Sequence, residues 1–244
     1  MASGFFNARK EWEKAVREGL SAAWPICLGY IAIGLAFGVI ARKAGLRPFE
    51  IGLMSLIVYA GSSQFIATAM LGTEAGFPSI VLTTFSINLR HLLMSSSLSL
   101  YLRILSGSRL SLFAFGVTDE SFALNMSRFQ GGKWGWRQAL VVNHLTNLTW
   151  IVSTVAGGIG GQFIPAAAFG IDYALTAMFI ALLVFQLRGI HHILVALLSG
   201  LLAVILALVI PGNSHILIAA FLSASAGLLF GKARWRRNEP GGST

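Results

Sequence analysis

Charged side chains are scarce in this sequence. Of its 244 residues, 11% are Asp, Glu, Lys or Arg, against about 25% in a typical soluble domain. So few charges cannot cover the surface of a water-soluble domain of this size. Acidic residues are the scarcer kind, nine against 18 Lys and Arg, and the formal net charge is +9. Nucleic-acid binders share a basic excess but need exposed basic patches on a soluble fold, so we expect no nucleic-acid partner.

Cysteine and the common catalytic motifs are also lacking. Cys27 is the single cysteine, which excludes a disulfide framework. The sequence contains no GxxxxGK[ST], HExxH or GxSxG pattern, so we do not expect ATP hydrolysis, zinc-protease or serine-hydrolase chemistry. His191 and His192 adjoin each other without a Cys or acidic companion, which does not favour a metal site. We therefore predict a protein that is not an enzyme and has neither metal nor cofactor.

Long apolar runs dominate what is present. Apolar residues make up 55% of the chain and the mean hydropathy is +0.74. A helix needs about 20 predominantly apolar residues to cross a hydrocarbon core, and eight segments approach that length. These runs are 20–41, 49–71, 78–101, 110–126, 137–157, 171–187, 190–210 and 214–231. Because lipid offers no partners to the backbone and no β-barrel alternation is visible, we predict an all-α integral membrane protein.

The composition divides the chain into three parts. Residues 1–19 mix charges with aromatic residues, which indicates either an interfacial amphipathic helix or a frayed tail. Residues 20–231 are predicted to form a single transmembrane domain in contact with lipid. Residues 232–244 are basic and then rich in Pro and Gly, which predicts an anchor followed by a disordered end.

The basic residues indicate the topology. If all eight runs cross and the N-terminus is inside, 12 of the Lys and Arg lie inside and five lie outside. If runs 20–41 and 110–126 instead enter and leave on one side, 17 lie inside and none outside. The positive-inside rule favours the second arrangement, with both termini cytoplasmic. We therefore predict about six full spans plus two broken or re-entrant helices, with seven to eight full spans as the alternative.

Two runs carry the features of discontinuous transporter helices. Run 20–41 contains one proline and several glycines, and run 110–126 is short with an acidic pair near its middle. Both contain the tetrapeptide AFGV, at 36–39 and at 114–117. The match suggests an internal repeat of one broken helix followed by two spans.

Arg90 is the one basic residue deep inside a predicted span. It is the thirteenth residue of run 78–101, and a charge at such a depth costs about 2.5–3.5 kcal/mol on insertion scales. Asn88 and His91 are three residues apart, on one helical face. Because Arg90 cannot be neutralised, it needs an anion. That anion is either a substrate carboxylate or an acidic side chain that fixes two helices, and the two interpretations are compatible.

Asp119 and Glu120 form the single acidic pair at membrane depth. We predict that one of them takes part in proton coupling or binds the ammonium group of a substrate. Adjacent helical positions point about 100° apart, so the two cannot have the same role. The alternative is that the pair faces cytoplasmic water at the tip of a re-entrant segment.

Uncharged polar residues interrupt two other runs. In YAGSSQ, Gly61 can open the backbone, and Ser62, Ser63 and Gln64 offer hydrogen-bonding groups. Asn143 and Asn147 are four apart on one face of run 137–157. We predict that these residues, with Asn88 and Arg90, contribute to substrate binding; the alternative is hydrogen bonding between helices.

Four blocks of the sequence resemble the AzlC family. They are WPICLGYIAIGLAFGV, MSLIVYAGSSQF, FSINLRHLLMSSSLS and FAFGVTDESFAL, and the similarity runs in order over about residues 20–190. The resemblance implies the large subunit of a branched-chain amino-acid export permease in the bacterial cytoplasmic membrane. It further implies a small AzlD-type membrane subunit as partner, valine, leucine and isoleucine as substrates, and export against proton entry.

Two functions from different classes remain open on the sequence. The first is a secondary transporter subunit that moves a small zwitterion through a mid-membrane site. The second is a channel or scaffold subunit for another small metabolite, in which the polar residues only pack helices.

Overall fold

A computed structural model describes residues 2–73, 75–132, 134–163, 173, 176–177, 180, 183–184, 187, 189–210 and 214–237. These residues contain helices and no strand, which confirms the predicted all-α membrane class. Run 171–187 lies mostly outside the described residues, as do Arg188 and the 238–244 part of the predicted tail. The chain forms two compact units, Met1–Leu175 and Thr176–Thr244, which are described separately.

The first unit contains seven described α-helices. They are α1 (Ala2–Lys43), α2 (Pro48–Ile57), α3 (Gly61–Gly72), α4 (Phe77–Ser99), α5 (Gly107–Phe115), α6 (Asp119–Gln130) and α7 (Trp136–Gly160). A short 3₁₀ turn, Gly161–Phe163, follows α7. Within this unit, Arg9–Lys43 and Trp136–Phe163 meet the length and apolarity of membrane spans.

Helices α1 and α7 run parallel and pack against each other along most of their length. The rings of Trp12 and Trp136 lie 5.6 Å apart near the starts of the two helices. At the other end, the two backbones approach closely at Gly161, just after α7. A methyl group added to Gly161 would lie only 3.1 Å from the Cα atom of Val39 in α1. We call the end with Trp12 and Trp136 the near face of the unit, and the end with Val39 and Gly161 the far face.

Run 20–41 is part of the continuous helix α1, so its prediction as a broken or re-entrant segment is wrong. Pro25 lies inside the helix without ending it. The glycines serve close packing instead of a break. A methyl group on Gly38 would lie 2.1 Å from Thr154 O and 2.5 Å from Gly158 N, so only glycine allows α7 to approach this closely.

Run 49–71 is the segment that breaks. α2 begins at the far face, where a methyl group on Gly158 would lie 3.6 Å from the Cα atom of Pro48. The helix ends before Tyr59, whose φ of +39° a non-glycine residue rarely adopts. Gln64 of α3 then donates a hydrogen bond to Ser55 of α2 at 3.1 Å. Helix α3 therefore turns back beside α2, and the two form a re-entrant hairpin with its tip at Tyr59.

Helix α4 crosses from the far face to the near face. Arg90, past the middle of α4, contacts Ser62 in the first turn of α3. Leu98, at the end of α4, shares a buried cluster with Ala139 at the start of α7. The 23 residues of α4 give a length of about 34 Å at 1.5 Å per residue, enough to span the hydrocarbon core.

Run 110–126 is re-entrant as predicted, and it opens on the opposite face from the first hairpin. α5 begins at the near face, where the Arg109 guanidinium lies 5.8 Å from the centroid of the Trp136 ring. The chain breaks between α5 and α6, where the Thr118 side chain reaches Tyr30 in α1. Phe129, near the end of α6, returns to the near face, where its ring stacks on that of Tyr101 just beyond the end of α4 at 5.1 Å. Helices α5 and α6 thus form a second hairpin.

This arrangement corrects the predicted distribution of basic residues. Because α1 crosses, Arg42, Lys43 and Arg47 lie at the far face, which is opposite to the N-terminal segment. The near face carries eight described Lys and Arg: Arg9, Lys10, Lys14, Arg17, Arg103, Arg109, Arg128 and Arg137. The basic excess of the near face over the far face still obeys the positive-inside pattern, although the segregation is incomplete.

The AFGV tetrapeptides do not occupy equivalent positions. Residues 36–39 lie inside α1, whereas 114–117 cover the end of α5 and the following break. The predicted repeat of one broken helix plus two spans, aligned on these two tetrapeptides, is therefore wrong.

The second unit contains α8 (Ile190–Ala207) and α9 (Ser214–Arg237). Helix α8 is a candidate span by length and apolarity. The two helices pack together, and a methyl group on Gly227 would lie 2.7 Å from the Val195 Cγ2 atom. The basic positions 232–237 continue α9 as helix.

Candidate functional site

The tips of the two hairpins meet α4 just past its middle. Ser62, in the first turn of α3, comes from the hairpin that opens on the far face. Asp119, the first residue of α6, comes from the hairpin that opens on the near face. Arg90 contacts both of these residues. The three side chains define the centre of the candidate site.

Arg90 connects the two hairpins through its guanidinium group. Its Nη1 atom lies 2.9 Å from Asp119 Oδ2, and its Nη2 atom donates to Ser62 Oγ. The side chains of Arg90 and Asp119 are each 28% exposed. Arg90 Nε is buried and has no hydrogen-bond partner, so the guanidinium group keeps an unused donor. Within the site, an oxygen ligand can satisfy that donor.

Glu120 faces a different partner from that of Asp119. The Tyr30 hydroxyl donates to Glu120 Oε2 at 2.7 Å and also lies 2.8 Å from Thr118 Oγ1. Tyr30 is 7% exposed and belongs to the middle of α1. The two carboxylates of the acidic pair therefore have different environments, as their adjacent positions on a helix require.

The two tips differ in how their helices begin. Thr118 caps α6 by accepting a hydrogen bond from the Ser121 backbone N–H, and the Ser121 side chain accepts one from the Thr118 N–H. Ala60 occupies the equivalent position before α3 and provides no side-chain cap. The first N–H groups of α3 therefore lack a side-chain acceptor, beside Ser62 and the Arg90 guanidinium. Helix N-termini attract anions, so this part of the site is the more electropositive one.

Gln64 lies in a separate, fully buried network. Its Nε2 atom donates to Ser55 Oγ at 3.1 Å, and its Oε1 atom accepts from Trp150 Nε1 at 2.9 Å. Ser55 Oγ also lies 2.8 Å from Thr154 Oγ1. These contacts hold the first hairpin against α7. Ser63 likewise bonds to the carbonyl oxygen of Ala60 within its own tip.

Asn143 performs the corresponding task for the second hairpin. Its Oδ1 atom accepts from Asn125 Nδ2 at 2.9 Å, and its Nδ2 atom donates to Phe113 O at 3.1 Å. Both asparagines are fully buried. Asn143 therefore fixes α5 and α6 to α7, which is the helix-packing alternative of the sequence analysis.

Several buried polar atoms close to the tips have no hydrogen-bond partner. In α4 they are Asn88 Oδ1, Arg90 Nε and His91 Nε2, and in α7 they include Asn147 Nδ2. The other ring nitrogen of His91, Nδ1, lies 2.9 Å from Val117 O at the second tip. A buried polar group without a partner costs about 1–3 kcal/mol, so these atoms are candidates for contacts with a ligand in this layer.

The predicted site residues thus fall into two groups. The structure brings Ser62, Arg90 and Asp119 together, with Glu120 as the next residue in the first turn of α6. The remaining predicted residues form packing contacts or carry unpartnered atoms, and they are Ser63, Gln64, Asn88, Asn143 and Asn147. No group of three or more His, Cys, Asp or Glu suitable for a metal ion occurs in the part of the chain that the structure describes.

Sequence reasoning missed two residues of this layer, Tyr30 and Thr118. Thr118 had a signal, because a Thr followed directly by two acidic residues is typical of a helix N-cap and first turn. Tyr30 is an isolated polar group in an apolar run, and only its position against the second tip reveals its contact with Glu120.

The fold and the site define a helical integral membrane protein with two opposed re-entrant hairpins and a charged pair between their tips. The family model for the AzlC protein matches residues 25–164, and the chain belongs to the AzlC family. This finding confirms the resemblance identified from the sequence blocks.

Curated relatives match over most of their length. The inner membrane protein YgaZ of Escherichia coli is 32% identical over 221 residues, covering 84% of this chain and 90% of that protein. The branched-chain amino acid transport protein AzlC of Bacillus subtilis is 28% identical over 220 residues, covering 89% and 85%. An uncharacterized membrane protein of Helicobacter pylori is 28% identical over 225 residues, covering 91% and 97%. No solved structure matches the chain.

Proposed function

We propose that this protein is a secondary transporter subunit that exports branched-chain amino acids across the bacterial cytoplasmic membrane. The observation that carries the proposal is the Arg90–Asp119 pair, which is positioned at membrane depth between two hairpin tips. Ionisable residues inside a membrane are rare and mark substrate or ion pathways. The name of the Bacillus subtilis relative supplies the substrate class.

The site offers a binding group for each end of an amino acid. The substrate carboxylate would bind Arg90, Ser62 and the uncapped N-terminus of α3. Asp119 would then release Arg90 and bind the substrate ammonium group. The pair has the geometry for such an exchange, because both members are accessible to a ligand at 28% exposure.

Glu120 is the proposed proton-coupling residue. It has no arginine contact among the described residues and hydrogen-bonds to the Tyr30 hydroxyl instead. A protonated Glu120 would lose the negative charge that Tyr30 stabilises, so protonation would loosen the second tip from α1. Proton entry would in this way be linked to movement of the hairpin that opens on the near face.

The partner and the orientation complete the proposal. The family resemblance implies a small AzlD-type membrane subunit, and the surplus of basic residues at the near face of the first unit favours a cytoplasmic N-terminus. An aliphatic pocket discriminates by only about 1–3 kcal/mol per methylene, so valine, leucine and isoleucine should all be accepted.

Counterflow in proteoliposomes that contain both subunits tests the function. Liposomes loaded with unlabelled leucine should accumulate labelled leucine transiently, with a saturable rate. Linear flux that does not saturate would instead identify a channel, and the absence of amino-acid flux would identify a scaffold or another substrate. Arg90→Gln should abolish counterflow while the protein still assembles in the membrane. Arg47→Gln is the matched control, because Arg47 is an exposed arginine at the far face.

A further inference from the structure

The first unit contains the same arrangement of helices twice. α2, α3 and α4 have 10, 12 and 23 residues, and α5, α6 and α7 have nine, 12 and 25. In each set, a short helix enters the membrane, the chain breaks, a 12-residue helix returns, and a long helix crosses. We call α2–α4 the first repeat and α5–α7 the second repeat.

The two repeats have opposite orientations in the membrane. The first hairpin opens on the far face, and α4 then runs to the near face. The second hairpin opens on the near face, and α7 then runs to the far face. Each repeat crosses the membrane once, so the direction reverses from one to the next. Inverted repeats of this kind are a common basis of alternating access in secondary transporters.

The sequences of the two long helices support the equivalence. Asn88 is the twelfth residue of α4, and Asn147 is the twelfth residue of α7. Each begins an Asn-Leu-x-aromatic tetrapeptide, NLRH in α4 and NLTW in α7. The matched helical position makes this a stronger signal than the AFGV recurrence.

The contacts of these aromatic residues are reciprocal. His91 of the first repeat bonds to Val117 O at the tip of the second hairpin. Trp150 of the second repeat donates to Gln64 of the first hairpin, and a methyl group on Gly61 at that tip would lie 3.2 Å from its ring. Each crossing helix therefore supports the hairpin of the other repeat.

The equivalent asparagines have complementary unsatisfied atoms. Asn88 Oδ1 is a buried acceptor without a partner, and Asn147 Nδ2 is a buried donor without a partner. Asn147 is 8% exposed. It lies one turn from Asn143, which supports the second hairpin, and one turn from Trp150, which supports the first. The unsatisfied donor is therefore in the layer between the tips.

We propose that the first unit is an inverted repeat whose two hairpins are the two gates of one central site. This proposal rests on the transport function proposed above and extends it to the gating mechanism. The first hairpin opens the site to the far face, and the second hairpin opens it to the near face. Arg90 contacts both tips in the present structure, so it links the two gates. Asn88 and Asn147 form equivalent halves of the site, one accepting from a substrate and one donating to it.

The two tips provide a matched pair of positions for a test. Ser63 is the third residue of α3 and Ser121 is the third residue of α6, and both are fully buried. Each is replaced by cysteine in a Cys27→Ala background, giving Ser63→Cys and Ser121→Cys. The reaction rate with a membrane-impermeant thiol reagent is measured in right-side-out and inside-out vesicles that contain both subunits. Lys10→Cys, at an exposed position near the start of α1 and outside both hairpins, is the control.

Two gates predict opposite accessibility. Ser63→Cys should react from the far face and Ser121→Cys from the near face. Saturating leucine together with a proton gradient should raise one rate and lower the other, each by about fivefold or more, and should leave the rate at Lys10→Cys unchanged. Thr68→Cys and Met126→Cys are equivalent positions one turn or more further along, and they replace either serine variant that fails to fold.

Three outcomes would overturn the two gates. They are reaction of both positions from the same face, rates that change in the same direction, and no reaction from either face. Counterflow shows whether the gating proposal and the transport proposal fail independently of each other. If counterflow fails while the two positions still react from opposite faces, the substrate assignment is wrong and the inverted gates stand. If counterflow succeeds while both positions react from one face, transport stands and the gates are wrong.

Discussion

Arg90 and Asp119 come from opposite repeats of the fold, and their Nη1 and Oδ2 atoms lie 2.9 Å apart. Arg90 is on the helix that crosses after the first hairpin, and Asp119 is the first residue after the break in the second. The ion pair therefore joins the two halves of the unit at the point where both backbones are interrupted. Under the proposed mechanism, this pair stabilises the arrangement seen here and would give way when a substrate supplies a competing charge.

Neutralising one member of this pair should cost more stability than neutralising both. Asp119→Asn leaves a guanidinium group at membrane depth without its carboxylate, and Arg90→Gln leaves the carboxylate alone. Each single variant should lose about 1.5–3 kcal/mol, the usual range for a charge-assisted hydrogen bond. The double variant should regain much of that loss and still fail in counterflow. Thermal unfolding of the wild type, the two single variants and the double variant in detergent completes a double-mutant cycle. If the losses of stability in the single variants add up in the double variant, the two residues do not interact.

Tyr30 and Tyr59 allow a matched test of the proposed proton coupling. Both are buried tyrosines, but the Tyr30 hydroxyl donates to Glu120, whereas the Tyr59 hydroxyl donates to Thr146. Tyr30→Phe should lower proton-driven leucine transport about 10-fold or more, because a hydrogen bond to a charged group is lost, and should affect counterflow far less. Tyr59→Phe should affect both assays alike and mildly. If the two variants lose proton-driven transport equally, Tyr30 has no specific role in proton coupling.

The re-entrant hairpins predict which loops share a side of the membrane. Arg47→Cys and Thr73→Cys flank the first hairpin, and both should be labelled from one side by an impermeant maleimide. Ser106→Cys and Gln130→Cys flank the second hairpin, and both should be labelled from the other side. All four positions are exposed, so slow labelling does not confound the result. If either hairpin in fact crossed the membrane, the two positions that flank it would be labelled from opposite sides.

The sequence predicts the helical membrane class, and the charged residues that meet between the tips, better than the path of the chain. Arg90 and Asp119 stand out because charge is scarce and its cost in lipid is high. The broken segment at 110–126 is also visible, because an acidic pair divides a short apolar run. These features are local, so they do not depend on knowing which helices become neighbours.

Run 20–41 shows why the rest is harder to predict. Gly34 and Gly38 have the composition of a helix break, yet they adjoin α7, and a methyl group on either would collide with it. The break at Tyr59 has no proline, and its sequence signal is limited to Gly61 and the polar residues after it, in a run long enough for a full span. Gln64 and Asn143 likewise have the composition of ligand-binding residues, and their partners Trp150 and Phe113 are distant in sequence.

Two glycines of α1 provide a test of whether glycine is needed for close packing against α7. A methyl group on Gly38 would lie 2.1 Å from the Thr154 carbonyl oxygen and 2.5 Å from Gly158 N, and backbone atoms cannot easily move away. A methyl group on Gly29, in the same helix, would have no atom within 4 Å. Gly38→Ala should therefore destabilise the protein by about 1–3 kcal/mol or more through the separation of α1 from α7. Gly29→Ala should stabilise it by about 0.5–1 kcal/mol, because alanine favours the helix over glycine. Thermal unfolding in detergent measures both, and a Gly38→Ala variant as stable as Gly29→Ala would rule out the parallel α1–α7 contact.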